Sequence, residues 1–496
     1  MTSLTDAPAR LLIDGEFRES SDGRTFTTFN PATGETLGEV ARASVSDVDA
    51  AVRAARTAFE GSWAKTSPAR RTRLLMRLAQ LIDEQTDDLA TLESRNSGKP
   101  KWQAAAEIKQ AVADLELYAG AAQQLYGRSF VVNPSILSYT LREPVGVCAA
   151  IIPWNYPFMM AAWKLAPALA AGCTLVLKPA SATPLTALEL GRLALEAGIP
   201  AGVVNVITGP GAEVGNALAG HPDIDKIAFT GETDTGRSIA ATAARGLKRV
   251  SLELGGKSPN IIFADADIGA AVDGSLWAIY YSGGQSCEAR SRILVEESAH
   301  DAFAEAFTAK AAALRIGDPL AAETQIGSMI SRDHATRVLE YITSATDEGA
   351  EILTGGAVDG SLPDGLDSAA FVRPTVIGGV RNEMRIAQEE VFGPVVTLQH
   401  FGDEKEAIAL ANDVRFGLAA TVWTGDGARG HRIAQRVRAG TVGINQPFAA
   451  FPGVPFGGFK ESGYGRELSI DALDLYTETK AVLVGTGAKP LNPFGA

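Results

Sequence analysis

The chain has 496 residues, 46% hydrophobic and 21% charged, which fits an ordinary globular protein too long for a single core of usual size, so two domains are expected. With 58 acidic residues against 45 basic ones the net charge is −13, which argues against a nucleic-acid partner. Three cysteines without paired spacing and five scattered histidines suggest a reducing compartment and no zinc site, and MTSLTDAPARLLIDGE lacks a basic stretch followed by an apolar one, so a cytoplasmic protein is expected.

From Val45 to about Gln124 apolar residues recur at helical spacing, as in RRTRLLMRLAQLIDEQ, and predict an α-rich opening. Residues 126 to 143, YGRSFVVNPSILSYTLRE, alternate as strands do. From Val145 the short runs VGVCAAII, CTLVLKP, VVNVITG, DKIAFTG and KRVSLEL alternate with helical stretches such as LTALELGRLALEAG, the signature of a doubly wound parallel α/β sheet that binds dinucleotides. The apolar span from Phe158 to Leu177 approaches membrane length, but Lys164, Pro167 and Gly172 interrupt it, and a buried helix followed by a buried strand is expected, with no membrane partner. TGPGAEVG at 208 to 215 is not a dinucleotide fingerprint, because its glycines at 209, 211 and 215 put the third one residue late. A second block of strands and helices runs from about Gly255 to Pro455, and LYTETKAVLV near the end alternates like a strand again. There is no internal repeat and no low-complexity linker.

Three side chains stand out against this background. Cys287, in YSGGQSCEARSR, follows two glycines, Gln285 and Ser286 and precedes a charge, a setting that suits a nucleophile. Cys148 in VGVCAAII and Cys173 in AAGCTLVL sit in apolar runs and are expected to be core residues. Glu253 ends the apolar run VSLEL before two glycines, where burial would push a carboxylate toward the pKa a general base needs; the alternative is a salt-bridged core glutamate. Asn155, in AAIIPWNYPF, follows a strand that stops at Pro153, and its amide N–H can hold an oxyanion; otherwise it is a turn cap.

The motifs PWN, KPA, FTGET, LELGGKSPN, GGQSC, EEVFGP and PFGGFKESGYGRE, in that order between about Leu12 and Val484, resemble the NAD(P)-dependent aldehyde dehydrogenase superfamily. The resemblance implies Cys287 as nucleophile, Glu253 as general base, Asn155 as oxyanion donor, and Lys164 and Glu467 as proton-relay positions. It also implies an NAD or NADP site. Ile152, Trp154, Lys178, Ser181, Phe229, Thr230 and Gly231 fall at family cofactor positions, as do Glu232, Gly236, Leu254, Glu390 and Phe392. Glu232 stands where many members carry Ser, so a direct phosphate contact from that side chain is not expected. Ser181 stands where many NAD-preferring members carry an acid, so NADP is expected to be tolerated beside NAD, the alternative being that other groups set the choice. Family tunnel positions are Tyr156, Met159, Met160, Trp163, Tyr281, Ser286, Glu288, Phe448, Phe451 and Phe456, a mostly aromatic sleeve for aliphatic, aromatic or amino aldehydes. Were Glu288 to face that tunnel it would favour cationic aldehydes; otherwise it pairs with Arg290 or Arg292.

The implied fold is a Rossmann-type cofactor domain at 1–125 and 144–254, a second α/β catalytic domain at 255–455, and a β oligomerisation arm at 126–143 and 473–490 that makes a homodimer or homotetramer. The implied reaction adds the Cys287 thiolate to an aldehyde, passes through a thiohemiacetal and a thioester, and ends in a free acid because Glu253 can activate water. A betaine or aminoaldehyde specialist, an acyl transferase to coenzyme A, an esterase and a non-catalytic binding protein are the alternatives.

Overall fold

The structure is a computed structural model, and it describes residues 9–358, 362–448, 450–487 and 494–495. Residues 1–8 of the expected cofactor domain and 488–490 of the expected arm lie outside the described ones. The α-rich stretch forms as helices Val45–Glu60, Pro68–Glu84, Thr86–Ser97 and Lys101–Ala121. The first of them is started by a capping box, in which the Ser44 hydroxyl accepts from the Asp47 N–H and the Asp47 carboxylate accepts from the Ser44 N–H.

The β-like runs pair into an eight-stranded sheet whose centre is parallel, in the order Val204–Val206, Thr174–Lys178, Val147–Ile151, Lys226–Thr230, Arg249–Glu253. Its flanks are antiparallel, with Leu11–Ile13 beside Val204–Val206 and Gly463–Tyr464 beside Arg249–Glu253. A parallel sheet is buried on both faces, which is why these strands read as continuous apolar runs. The two-residue period of a strand then sorts them. Val147, Ala149 and Ile151 pack into one core with Ile227 and Val176, while Cys148, Ala150 and Ile152 pack into the other with Leu175 and Leu177. Cys148 and Cys173 are both core residues, as expected.

Helix Pro157–Ala171 is buried along its whole length and ends at Gly172, whose φ of 97° turns the chain into strand Thr174–Lys178. The apolar span is thus a core helix and a core strand, and no described helix is long and apolar enough to cross a membrane. A seven-stranded sheet forms from residues within 259–444, its six neighbouring strands Thr375–Gly378, Val395–Phe401, Arg292–Glu296, Pro259–Ile262, Ala419–Trp423 and Thr441–Ile444 all parallel. A third sheet has three antiparallel strands, with Thr477–Gly485 paired to Ile136–Pro144 in unbroken register and Ser129–Asn133 outside. Val131 and Leu483 on it are 98% and 66% exposed, so this chain leaves apolar surface uncovered there.

Candidate active site

In an open parallel sheet, ligands bind beyond the carboxyl ends of the strands, where the strand order reverses. Here the chain builds outward in one direction from Val147–Ile151 and then returns to place Lys226–Thr230 on its other side, so the reversal lies between those two strands. Asn155 follows the first, Gly231 and Glu232 follow the second, and Glu253 ends the next strand. A cavity of about 540 Å³ opens at this point and is lined by Asn155, Thr230, Gly231, Glu253 and, from the other sheet's side, Cys287.

Cys287 is half-buried and follows closely on a short helical turn, Tyr281–Gly284, that brings the chain back from helix Ile268–Tyr280. Within that turn Ser282, Gly283 and Gly284 have φ of 54°, 62° and 71°, and a Cβ on Gly284 would collide with the Gly393 carbonyl. Gly256 plays the matching part on the Glu253 side, because a Cβ there would collide with the Cys287 carbonyl. The LELGG glycines therefore let the strand carrying the carboxylate pass close to the thiol. Gln285 fastens the nucleophile loop: its amide donates to the Ser282 and Ser328 carbonyls and accepts from the Ile330 N–H at 2.9 Å.

Glu253 is 3% exposed, and among the described residues its carboxylate has no hydrogen-bond partner other than the Cys287 thiol. Burial, followed by the nearby Glu467 charge, pushes its pKa up to about 8. Burial, and then Glu253 and Glu390, likewise push the Cys287 thiol well above its ordinary value. Thiol and carboxylate are close enough to shift one another, and one proton between them satisfies both. Asn155 donates from Nδ2 to the Gln285 carbonyl at 2.9 Å, which leaves the second amide hydrogen free to meet a developing oxyanion. Lys164 and Glu467 form a buried ion pair behind this group, and Glu467 is fixed by two backbone hydrogen bonds with Phe456 at 2.7 and 3.0 Å.

The cavity also holds Trp154, Glu232, Glu390 and Phe392 of the expected cofactor positions. Glu390 accepts from the Gly256 N–H at 3.1 Å, and burial raises its pKa to about 7. Phe392 has φ 58°, a costly conformation for an aromatic residue, and its carbonyl is held by His334 Nε2 at 2.7 Å. His334 stacks edge-on to Trp154 at 5.4 Å, and burial lowers its pKa, so the neutral ring donates to that carbonyl. His334, Arg337 and Tyr341 come from helix Arg332–Asp347 and line the cavity although no sequence motif points to them. Helix Thr233–Ala244 presents its N-terminus to the same space, and among the described residues no side chain caps it. Bare N–H groups at a strand-order reversal fit the phosphates of a dinucleotide.

The remaining expected cofactor residues lie off this cavity. Lys178 ends its strand buried, with its pKa lowered to about 8 by burial, and donates to the Pro179 carbonyl at 3.0 Å. Ser181 donates to the Gly209 carbonyl at 2.8 Å, so the TGPGAEVG turn packs against the pair as part of the scaffold. Gly236 and Leu254 pack on each other, Ile152 donates its N–H to the Lys178 carbonyl at 3.1 Å, and Phe229 is a core residue.

Of the expected tunnel residues, Tyr156 and Met160 reach the cavity. Trp163 and Phe456 are buried against each other at 5.7 Å, Met159 packs in the same core, and the buried Ser286 hydroxyl lies beside Tyr156. Tyr281 and Phe448 belong instead to a chain of rings running through Trp277 to Trp102 and Phe451 at centroid spacings of 5.0 to 6.1 Å. Of the two readings of Glu288, the structure has the ion pair, made with the fully buried Arg290. A buried guanidinium needs a counter-charge, and Glu288 supplies it.

Comparison with known proteins gives one answer. A sequence model described as the aldehyde dehydrogenase family matches residues 17–482. A Bacillus subtilis protein named putative aldehyde dehydrogenase DhaS is 46% identical over 477 residues, 96% of this chain and 95% of that protein. An aldehyde dehydrogenase of Aspergillus niger is 46% identical over 478 residues, again 96% of this chain and 95% of that one. Among solved structures, the NAD+ complex of a Bacillus cereus aldehyde dehydrogenase superposes with a TM-score of 0.95 at 44% identity, covering 98% of each chain. A betaine aldehyde dehydrogenase from Staphylococcus aureus, also in complex with NAD+, gives 0.96 at 40% identity over 99% of this chain and 98% of that one.

Proposed function

We propose, since this chain belongs to the aldehyde dehydrogenase family, that it oxidises an aldehyde to the free carboxylic acid, with Cys287 as nucleophile and Glu253 as the base that activates water. The observation that carries this reading is the shared cavity, in which a half-buried thiol, a buried carboxylate whose one partner among the described residues is that thiol, and an amide with one hydrogen to spare all converge. A nicotinamide dinucleotide, when bound, supplies the hydride acceptor. Its phosphates would lie at Gly231 and the start of helix Thr233–Ala244, with Glu390, Phe392 and Trp154 around the nicotinamide end and Lys178 and Ser181 toward the adenosine end.

The chain's own groups account for the rest. The thiolate adds to the carbonyl carbon, and the oxygen that becomes negative is met by the Asn155 amide and the Cys287 N–H. The acyl group left on sulfur is then released by a water whose proton Glu253 takes, and Lys164 with Glu467 lies behind Glu253 as a route for that proton onward. The test is cofactor reduction by the purified protein with NAD and NADP, across aliphatic, aromatic, amino and carboxylate-tailed aldehydes. Reduction coupled to free acid is the expected result, and acyl transfer that requires coenzyme A would displace the reading.

Two narrower expectations concern specificity. Ser181 offers no carboxylate to repel a 2′-phosphate, so kcat/KM with NADP is expected within about tenfold of that with NAD; a far larger preference for NAD would place the discriminating group elsewhere. Glu288→Gln is expected to leave the ratio of aminoaldehyde to hexanal turnover unchanged, because the carboxylate already serves Arg290. The same change is expected to lower Tm by several degrees, since it leaves a buried guanidinium without its counter-charge. A ratio that shifts toward hexanal would return Glu288 to the substrate site. We also assign the dinucleotide to the unit built on the eight-stranded sheet, and contact with a second copy in a dimer or tetramer to the exposed apolar face of the three-stranded sheet.

A further inference from the structure

Behind the active-site wall lies a buried cluster of charges that the reaction does not use directly. Lys99 follows Gly98, whose φ of 79° ends helix Thr86–Ser97 and turns the chain inward. The Lys99 side chain is only 2% exposed, and its Nζ donates to the Asn155 carbonyl at 2.7 Å and to the Glu107 carboxylate. The ammonium also stands over the Tyr156 ring, 4.5 Å from its centroid. An ammonium has three hydrogens, and these three partners lie around it. Glu107, on helix Lys101–Ala121, is itself 3% exposed, with Tyr281 beside it at the head of the nucleophile loop. On the other side Glu93 accepts from the Phe158 N–H at 3.2 Å and from the Thr186 hydroxyl, so the first turn of helix Pro157–Ala171 is pinned from below as well.

Taking three charges out of water is costly, and an apolar cluster of the same volume would hold the fold as well or better. What the charges supply is a fixed point. Asn155 sits in the irregular segment between strand Val147–Ile151 and helix Pro157–Ala171, where no ladder holds its backbone. Its side chain is tied at Gln285 and its carbonyl at Lys99, and two ties on one residue define the direction of the remaining amide hydrogen. We propose that Lys99, held by Glu107, is a positioning residue that aims the Asn155 amide at the oxyanion through the Asn155 carbonyl. The inference rests on the reading of Cys287 and Asn155 given above and adds residues on which that reading does not depend.

The test compares Lys99→Met and the double variant Lys99→Met/Glu107→Gln with the unaltered enzyme in two reactions of Cys287. Aldehyde oxidation develops an oxyanion, whereas alkylation of the same thiol by iodoacetamide displaces iodide at a saturated carbon and develops none. Both variants are expected to lose kcat for aldehyde about 10- to 100-fold, part of the effect of deleting an oxyanion donor outright, with alkylation rates within about twofold of the unaltered enzyme. Lys99→Arg, which keeps a buried donor, is expected to recover part of the loss. Aldehyde turnover within about threefold of normal would overturn the inference, and so would alkylation that falls in step with turnover, since that is the mark of general disorder. The double variant removes the Lys99–Glu107 ion pair whole, leaves Glu93 with the Phe158 N–H and the Thr186 hydroxyl, and decides alone should the single variant not fold. An unaltered enzyme that reduces no cofactor with any aldehyde would instead overturn the functional reading on which the inference stands.

Discussion

Cys287→Ala is expected to abolish aldehyde-dependent cofactor reduction, a loss of about 10⁴-fold or more, while leaving the fold and Tm unchanged. No other thiol can take over: Cys148 and Cys173 are fully buried in the sheet core, with Leu175 and Leu177 packed around them. Removing a nucleophile from a site that works as a unit costs nearly the whole of the chemical acceleration, because the remaining groups have no covalent intermediate to act on. The same geometry makes a second measurement decisive. Iodoacetamide is expected to label one thiol per native chain and none in Cys287→Ala, with a labelling rate that rises with pH because burial and the neighbouring carboxylates hold the thiol protonated. Residual turnover in Cys287→Ala at more than about a hundredth of normal would mean that the oxidation does not pass through sulfur at this position. Cys287→Ser separates nucleophilicity from shape, and is expected to fold normally and to react no better than the alanine variant.

Much of this site is legible in the sequence, and the reason lies in its chemistry. Cys287, Glu253 and Asn155 each break a local pattern, being polar groups set where an apolar run ends or a glycine-rich turn begins, and strand ends at an order reversal are where an open sheet gathers ligands. The strands themselves are legible because a parallel sheet needs apolar side chains on both faces. What the residues do not announce is anything that reaches the site by packing alone. His334, Arg337 and Tyr341 enter the cavity on a helix whose sequence, RDHATRVLEYITSATD, reads as an ordinary amphipathic surface helix. Lys99 and Glu107 look like a turn lysine and a helix-face glutamate, and only the fold shows that both are buried beneath Asn155. Glu288 stays open between two readings because its choice depends on Arg290, and an arginine two residues away in sequence says nothing about whether it is buried. Lys178 and Ser181 illustrate the reverse case: the strand end that carries them is clear, but their backbone partners at Pro179 and Gly209 are set by turns.

Glu253→Gln is expected to lower steady-state kcat by about 10² to 10⁴, the range over which a positioned general base acts, and to change the shape of the time course. The glutamine is nearly isosteric, so the thiol can still add to an aldehyde and the Asn155 amide can still meet the oxyanion, but no group at that place can take a proton from water. One equivalent of reduced cofactor per chain should therefore appear rapidly, followed by a near stall, with the acyl group trapped on Cys287 and visible as a mass increase. The pH dependence carries the sign. A base acts in its ionised form, and burial, followed by the Glu467 charge, raises the Glu253 pKa to about 8, so the unaltered enzyme should lose kcat as pH falls below about 8 and approach a plateau above it. In Glu253→Gln that limb should vanish. Glu390 provides the control, because it lines the same cavity with a pKa raised to about 7 yet has one oxygen committed to the Gly256 N–H. Were Glu253→Gln to turn over steadily with its limb intact, and Glu390→Gln to lose both burst and limb, water activation would belong to Glu390, and Glu253 would serve only the Cys287 proton.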